Sequence, residues 1–282
     1  MKDRAFAKIN LCLNVVGKRD DGYHELEMIM VPINFYDVVD IKISKEMQFS
    51  SNATYLPKTD KNTVIKAIEV LREEYGFSEN FDIQVVKHIP TQAGLAGGSA
   101  DAAAAIRILK KMLNLDMSHQ KMVDLAKKVG ADVPFCCFNK PAYVSGIGEK
   151  MELFEMKSSW EVLLVKPYRG VSTPKAFNLL DLANAAHPDC LKMKESLENE
   201  DDRAVLDNLG NTLEQPAIKL LPVINEIKVK LLELGMSGVL MSGSGSTVFA
   251  LTKDKKKMRY AAKKMKENGF FVRETNIYQS SF

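Results

Sequence analysis

The sequence predicts an α+β protein in two parts, on three observations. At 282 residues the chain exceeds what one hydrophobic core usually fills. Stretches of strict apolar alternation, the mark of strands, are interleaved with stretches of helical apolar spacing. Across residues 160–278 these stretches run strand, helix, strand, strand, helix, strand, an order that suits a ferredoxin-like split βαβ domain. A polar stretch at 155–159 marks a junction, so the expected domains are 1–157 and 158–282.

Composition narrows the class. Hydrophobic residues at 46% and charged residues at 27% are ordinary for a soluble globular protein. A net charge of +3 is too small to argue for a nucleic-acid or membrane partner. The apolar stretch near the N-terminus is broken by Lys8 and Asn10 and lacks a cleavage site, so it does not read as a secretory signal. No run approaches the roughly 18 apolar residues of a membrane span. Cys12, Cys136, Cys137 and Cys190 show no C-x-x-C spacing, which suggests neither a zinc site nor a disulfide framework. A reduced, cytoplasmic protein is expected.

Residues 6–16 alternate. Ala7, Ile9, Leu11, Leu13 and Val15 fall on one face, and Phe6, Lys8, Asn10, Cys12 and Asn14 on the other. Lys8 and Asn10 are therefore neighbours on one side of a strand, where a lysine is ordinarily solvated or at an edge. Residues 17–22 make a turn into Tyr23, His24, Glu25 and Leu26, which open a second strand to about residue 33. Residues 38–43 read as another. Helical spacing of Val64, Ala67, Ile68 and Leu71 predicts a helix over 63–75, stopped by Gly76. Asn62 stands where an N-cap belongs.

Residues 81–88 read as a strand and 102–113 as a helix. Between them lies Pro90-Thr91-Gln92-Ala93-Gly94-Leu95-Ala96-Gly97-Gly98-Ser99-Ala100-Asp101, with Ser99 near the helix N-cap. A glycine cluster leading into a helix brings bare N–H groups and the positive end of the helix dipole close to an anion. A tight turn packing glycine against a neighbour is the other reading. The loop lacks the Lys-Ser/Thr ending of a P-loop, and its glycines do not fall as G-x-G-x-x-G.

Ser118 caps a further helix that Gly130 ends. Asp132 then sits just past a helix C-terminus, where the dipole opposes its charge and a cation is expected nearby; a turn-forming aspartate is the alternative. Residues 142–153 and 160–165 return to strand. Thr173 reads as the cap of a helix that contains Phe177. Residues 187–203 are polar and charged, an expected surface excursion. Amphipathic helices are expected at 214–234, apart from Pro216 and Pro222, and at 255–266. The lysines of the latter surround a Met258, Ala262, Met265 stripe, a solvated face. Between these helices, residues 239–251 read as two strands around a glycine-serine turn.

The loop 90–100 resembles the P-x-x-x-G-L-A/G-G-G-S-S/A motif of the GHMP kinases, the superfamily of galactokinase, homoserine kinase and mevalonate kinase. Ala100 stands where that motif often has serine. Gly130-Ala131-Asp132-Val133-Pro134 resembles the segment with that family's catalytic aspartate, and the 242–246 turn resembles its third motif. Ala7-Lys8-Ile9-Asn10-Leu11 and Gly22-Tyr23-His24-Glu25-Leu26 are similar to one branch, which phosphorylates the 2-hydroxyl of 4-diphosphocytidyl-2-C-methyl-D-erythritol in non-mevalonate isoprenoid biosynthesis.

The resemblance spans essentially the whole chain and implies an ATP-dependent kinase with a ribosomal-S5-like N-terminal domain before the ferredoxin-like one. It implies that Asp132 is the base and Lys8 its partner. Residues Pro90, Thr91, Gln92, Ala93, Gly94, Leu95, Ala96, Gly97, Gly98, Ser99 and Ala100 would hold the triphosphate, with Asn62 beside adenine. Ser99 is the candidate ligand of Mg2+. Asn10, Tyr23, His24, Thr173 and Phe177 would face the acceptor, Tyr23 and Phe177 as a sandwich around cytosine. Two alternatives are a kinase of the homoserine or mevalonate type and a non-catalytic relative that binds a ligand. A third is the superfamily's diphosphomevalonate decarboxylase.

Overall fold

The computed structural model describes residues 1–279. Packing divides the chain into two compact units that alternate along it: Met1–Ala7, Phe35–Thr91 and Ala96–Asn139 in the first, Lys8–Asn34, Gln92–Leu95 and Lys140–Phe282 in the second. Two long strands, β1 (Lys2–Lys18) and β2 (His24–Ser44), contribute residues to both.

In the first unit the later half of β2 pairs antiparallel with β4 (Asn80–Val86), from Val38↔Val86 to Ser44↔Asn80; β3 (Gln48–Ser51) pairs parallel with β4. Helix α1 (Thr63–Tyr75) starts where the Asn62 side chain accepts from Val64 N. It stops at Gly76, whose φ of 68° is left-handed and costs glycine little. Helix α2 (Gly97–Met112) packs on α1 and on α4 (Val133–Phe138), with α3 (His119–Val129) alongside. Ala102, Ala103, Ala104 and Ala105 have no exposed surface, so small side chains let α2 approach its neighbours closely.

In the second unit the hairpin of β5 (Ala142–Gly146) and β6 (Lys150–Leu153) adds to the first part of β2, from Leu26↔Gly146 to Met30↔Ala142. The chain then runs through β7 (Glu161–Lys166), α5 (Thr173–Asn178), α6 (Cys190–Glu198) and α7 (Asp202–Asp207). Next come β8 (Gly210–Asn211), α8 (Glu214–Leu220) and α9 (Val223–Glu233). It ends in β9 (Ser237–Met241), β10 (Val248–Thr252), α10 (Lys255–Glu267) and β11 (Phe271–Asn276). Strands β11, β7, β10 and β9 lie in that order in one antiparallel sheet. With two crossovers carrying helices, this is the predicted ferredoxin-like arrangement.

Five local expectations change. Residues 23–33 and 38–43 belong to one strand, because Asp37 between them is buried and satisfied: its carboxylate accepts from Lys87 Nζ and from the N–H groups of His88 and Ile89. Residues 142–153 form a hairpin. The 187–203 stretch is not an excursion, since α6 buries Cys190, Met193 and Leu197. The 214–234 helix breaks before Pro222, whose ring cannot continue it. Helix α2 begins at Gly97, five residues before the expected start, with the loop glycines as its first turn.

Candidate active site

The glycine loop is held differently in its two halves. Gly94 has a φ of +72°, and a Cβ there would lie 2.0 Å from the carbonyl oxygen of Ser242. Only glycine fits. Ser242 Oγ donates to the Gly94 carbonyl at 3.0 Å, and Thr247 N donates to the Ala93 carbonyl at 3.3 Å. The glycine-serine turn between β9 and β10 thus braces residues 93–94.

Ala96, left-handed at φ 56°, turns the chain into α2 and is its N-cap, with no side-chain bond. Ser99, expected near the cap, is the third residue of the helix, in its first turn. Gly98 is exposed, and its carbonyl accepts from Thr63 Oγ1 at 2.7 Å. The uncapped N–H groups of this turn are donors suited to phosphate oxygens.

Lys8 and Asn10 are not at a solvated edge: they are 4% and 0% exposed, with Lys8 Nζ donating to Asn10 Oδ1 at 2.6 Å. The Lys8 backbone N–H bonds the Leu95 carbonyl at 3.2 Å. Its ammonium lies 3.2 Å from where a Cβ on Gly243 would sit. Asp132 corrects another expectation. It follows α3 but also occupies the N-cap position of α4, so the nearer dipole favours its charge. The six residues of α4 are Val133, Pro134, Phe135, Cys136, Cys137 and Phe138; an apolar run this short shows no helical period.

His24 and Phe177 stack with ring centroids 4.8 Å apart and planes at 30°, while Tyr23 is 61% exposed. Burial, with Lys18 assisting, holds the His24 pKa below its ordinary value. A neutral imidazole can offer one donor and one acceptor to a base edge. The cap of α5 is Ser172, not Thr173; the Thr173 hydroxyl instead shares a 2.6 Å hydrogen bond with Ser244 Oγ in the glycine-serine turn.

The first unit holds a pocket of about 180 Å³, lined by Phe49, Leu56, Pro57, Asn62, Lys87 and Gly98 among others. Asn62 is therefore both helix cap and pocket wall. At its base Lys87 Nζ bonds the carboxylates of Asp37 and Asp101, all three side chains nearly sealed from water. Burial and the nearby Asp37 charge raise the Asp101 pKa to about 7, against the pull of Lys87. Sequence reasoning missed this trio, although Lys87 stands three residues before Pro90. Its partners come from 50 and 14 residues away.

Comparison with known proteins decides the family. Residues 62–140 match the model of the GHMP kinases N terminal domain, and residues 193–270 that of the GHMP kinases C terminal domain. The 4-diphosphocytidyl-2-C-methyl-D-erythritol kinase of Clostridium beijerinckii is 39% identical over 98% of this chain and 100% of its own.

The chain belongs to the GHMP kinases.

A second relative of the same name, from Clostridium novyi, is 38% identical over 96% of this chain and 99% of its own. Among solved structures, a 4-(cytidine 5'-diphospho)-2C-methyl-D-erythritol kinase is similar at a TM-score of 0.84 and 29% identity, covering 99% of this chain and 100% of that one. A homoserine kinase from Cytophaga hutchinsonii shares the fold at a TM-score of 0.74 and 18% identity, over 97% and 94% of the two chains. Among the described residues no helix is long and apolar enough to cross a membrane.

Proposed function

We propose that the protein transfers the γ-phosphoryl group of ATP to the 2-hydroxyl of 4-diphosphocytidyl-2-C-methyl-D-erythritol, a step of non-mevalonate isoprenoid precursor synthesis. The observation that carries the kinase reading is the seat of Gly94 against Ser242. It forces a bare backbone loop into the open first turn of α2, where phosphate is the natural ligand. Tyr23, His24 and Phe177 support the cytidylyl acceptor, since rings and a neutral imidazole suit a pyrimidine and have no evident use for homoserine or mevalonate.

In this reading residues 90–100 hold the triphosphate and Asn62, in its pocket, faces adenine. A hydroxyl is a poor nucleophile until its proton leaves. Asp132 takes that proton as the general base. Lys8 steadies the charge that develops on the transferring group, the kind of term that dominates phosphoryl transfer. Asn10 fixes the Lys8 ammonium and, with Thr173, faces the acceptor.

Magnesium is usually held through substrate phosphates with few protein ligands. Ser99, a hydroxyl inside the first turn of α2, fits that sparse role, and when bound the ion would neutralise phosphate charge. We place the two domains of the family at 1–157 and 158–282 and the enzyme in the cytoplasm, as a monomer or weak homodimer.

The test is ATP consumption with a panel of acceptors. Turnover with the cytidylyl conjugate and none with homoserine, mevalonate or mevalonate derivatives is expected. Preference for any of the latter would overturn the acceptor assignment, and carbon dioxide release on ATP turnover would point to a decarboxylase.

A further inference from the structure

The geometry points to Asn211 and Glu214 as positioning residues that hold the glycine-serine turn, and through it Gly94 and Lys8, in working register; this rests on the kinase reading above. Asn211 is 5% exposed. Its Nδ2 donates to the carbonyls of Met241 and Gly243, each at 2.8 Å, and its Oδ1 accepts from Leu213 N at 2.9 Å. Every hydrogen-bonding direction useful for gripping the turn is spent.

Glu214 holds Met241 too, at its N–H. Its Oε1 accepts from Met241 N at 2.9 Å, while Lys228 Nζ, 2.5 Å from Oε2, balances its charge. The turn entering at Met241 is thus gripped at an N–H and at two carbonyls, by side chains only three residues apart.

What the grip controls follows from the next contacts. Ser242 meets Gly94, and Gly243 lies against both Gly94 and the Lys8 ammonium. The same segment also holds the strand that carries Lys8. Residues 12 and 13 of β1 pair parallel with Gly210 and Asn211, the Thr212 N–H donates to the Leu13 carbonyl at 2.9 Å, and Thr212 Oγ1 accepts from Val15 N. Residues 210–214 are therefore a hub that fixes the distance between a catalytic strand and the turn beneath the phosphate loop. A displacement of about 1 Å in such a site can cost about 100-fold in rate.

Asn211→Asp is the sharpest test: it keeps the acceptor for Leu213 N but replaces two donors with an oxygen facing two carbonyls. ATP affinity, measured by calorimetry without acceptor, should fall about 10-fold, and kcat about 10- to 100-fold. The KM for the cytidylyl acceptor should stay within about twofold, because Tyr23, His24 and Phe177 are untouched. Leu231→Val, a buried substitution in α9, serves as the control: it should lower the melting temperature without moving kcat or ATP affinity. If Asn211→Asp does not fold, Glu214→Gln gives the milder version, with kcat lowered about 3- to 10-fold. Folded variants with wild-type kcat and ATP affinity would overturn the inference, as would a control that loses activity in parallel. A wild type that bound ATP but phosphorylated no cytidylyl acceptor would overturn the functional reading instead, and the ATP-affinity comparison would still decide the role of Asn211.

Discussion

Residues 93–98 and the group Tyr23, His24 and Phe177 present opposite materials to a ligand. The first offers backbone N–H groups and almost no side chain. It is fixed from outside, by Ser242 and Thr247 on Ala93 and Gly94 and by Thr63 on Gly98. The second offers rings, one of them 61% exposed, with His24 and Phe177 stacked on each other. Phosphate is the same on every nucleotide and needs donors at fixed places, so a shape that forbids side chains serves it. A cytidylyl group must be told from other acceptors, which requires particular side chains. Damage at the loop should therefore be near total, and damage at the rings graded and confined to the acceptor.

The largest effect is expected at Gly94. Gly94→Ala places a Cβ 2.0 Å from the Ser242 carbonyl oxygen and at a positive φ, strain of about 1–2 kcal/mol before any clash. ATP affinity should fall by more than about 100-fold. At Gly98, by contrast, the nearest atom to a new Cβ is Thr63 Oγ1 at 3.4 Å, so Gly98→Ala should melt like the wild type. Calorimetry and melting curves on both variants separate the two halves of the loop; equal ATP binding by Gly94→Ala and wild type would erase the distinction.

Asp132→Asn keeps shape and removes the base, so kcat should drop by a factor of about 10² to 10⁴ while ATP affinity holds. Steady-state rates and calorimetry on one preparation would check it, and wild-type turnover would remove Asp132 from the mechanism.

These residues differ in how legible they are. The glycine loop and the Tyr23-His24 block are contiguous, so their chemistry can be read along the chain. The ferredoxin-like sheet was legible too, from the order of strand-like and helix-like stretches along the chain. The helix behind Asp132 was not. Its Val133, Pro134, Phe135, Cys136 and Cys137 are all buried, and a short run with no exposed face has no amphipathic signature. Asp37, Lys87, Asp101, Asn211 and Glu214 were hidden for a different reason: a polar residue becomes informative only when a distant partner buries it.

The smallest effect is one of stability. The Asp101 pKa in the folded protein, about 7, lies above its ordinary 3.8. Its contribution to stability is thus fully present below about pH 4 and lost as pH rises through about 7. Asp101→Asn cannot titrate, so the fall in melting temperature between pH 5 and pH 8 should be shallower than in the wild type. Identical slopes would show that Asp101 carries its charge without penalty.

The acceptor end supplies the most direct measurement. Base stacking is worth about 1–3 kcal/mol, and a buried hydrogen-bonding group left unpaired costs about as much. Tyr23→Ala and His24→Ala should each weaken the cytidylyl acceptor by about 10- to 100-fold and leave ATP affinity unchanged. ATP consumption would be followed with 4-diphosphocytidyl-2-C-methyl-D-erythritol and with its uncytidylylated phosphate, in wild type and both variants. Turnover confined to the cytidylyl compound in the wild type, with its KM raised in both variants, is the predicted result. Equal turnover of the two acceptors, or unchanged KM in both variants, would contradict the assignment of this site to a cytidylyl substrate.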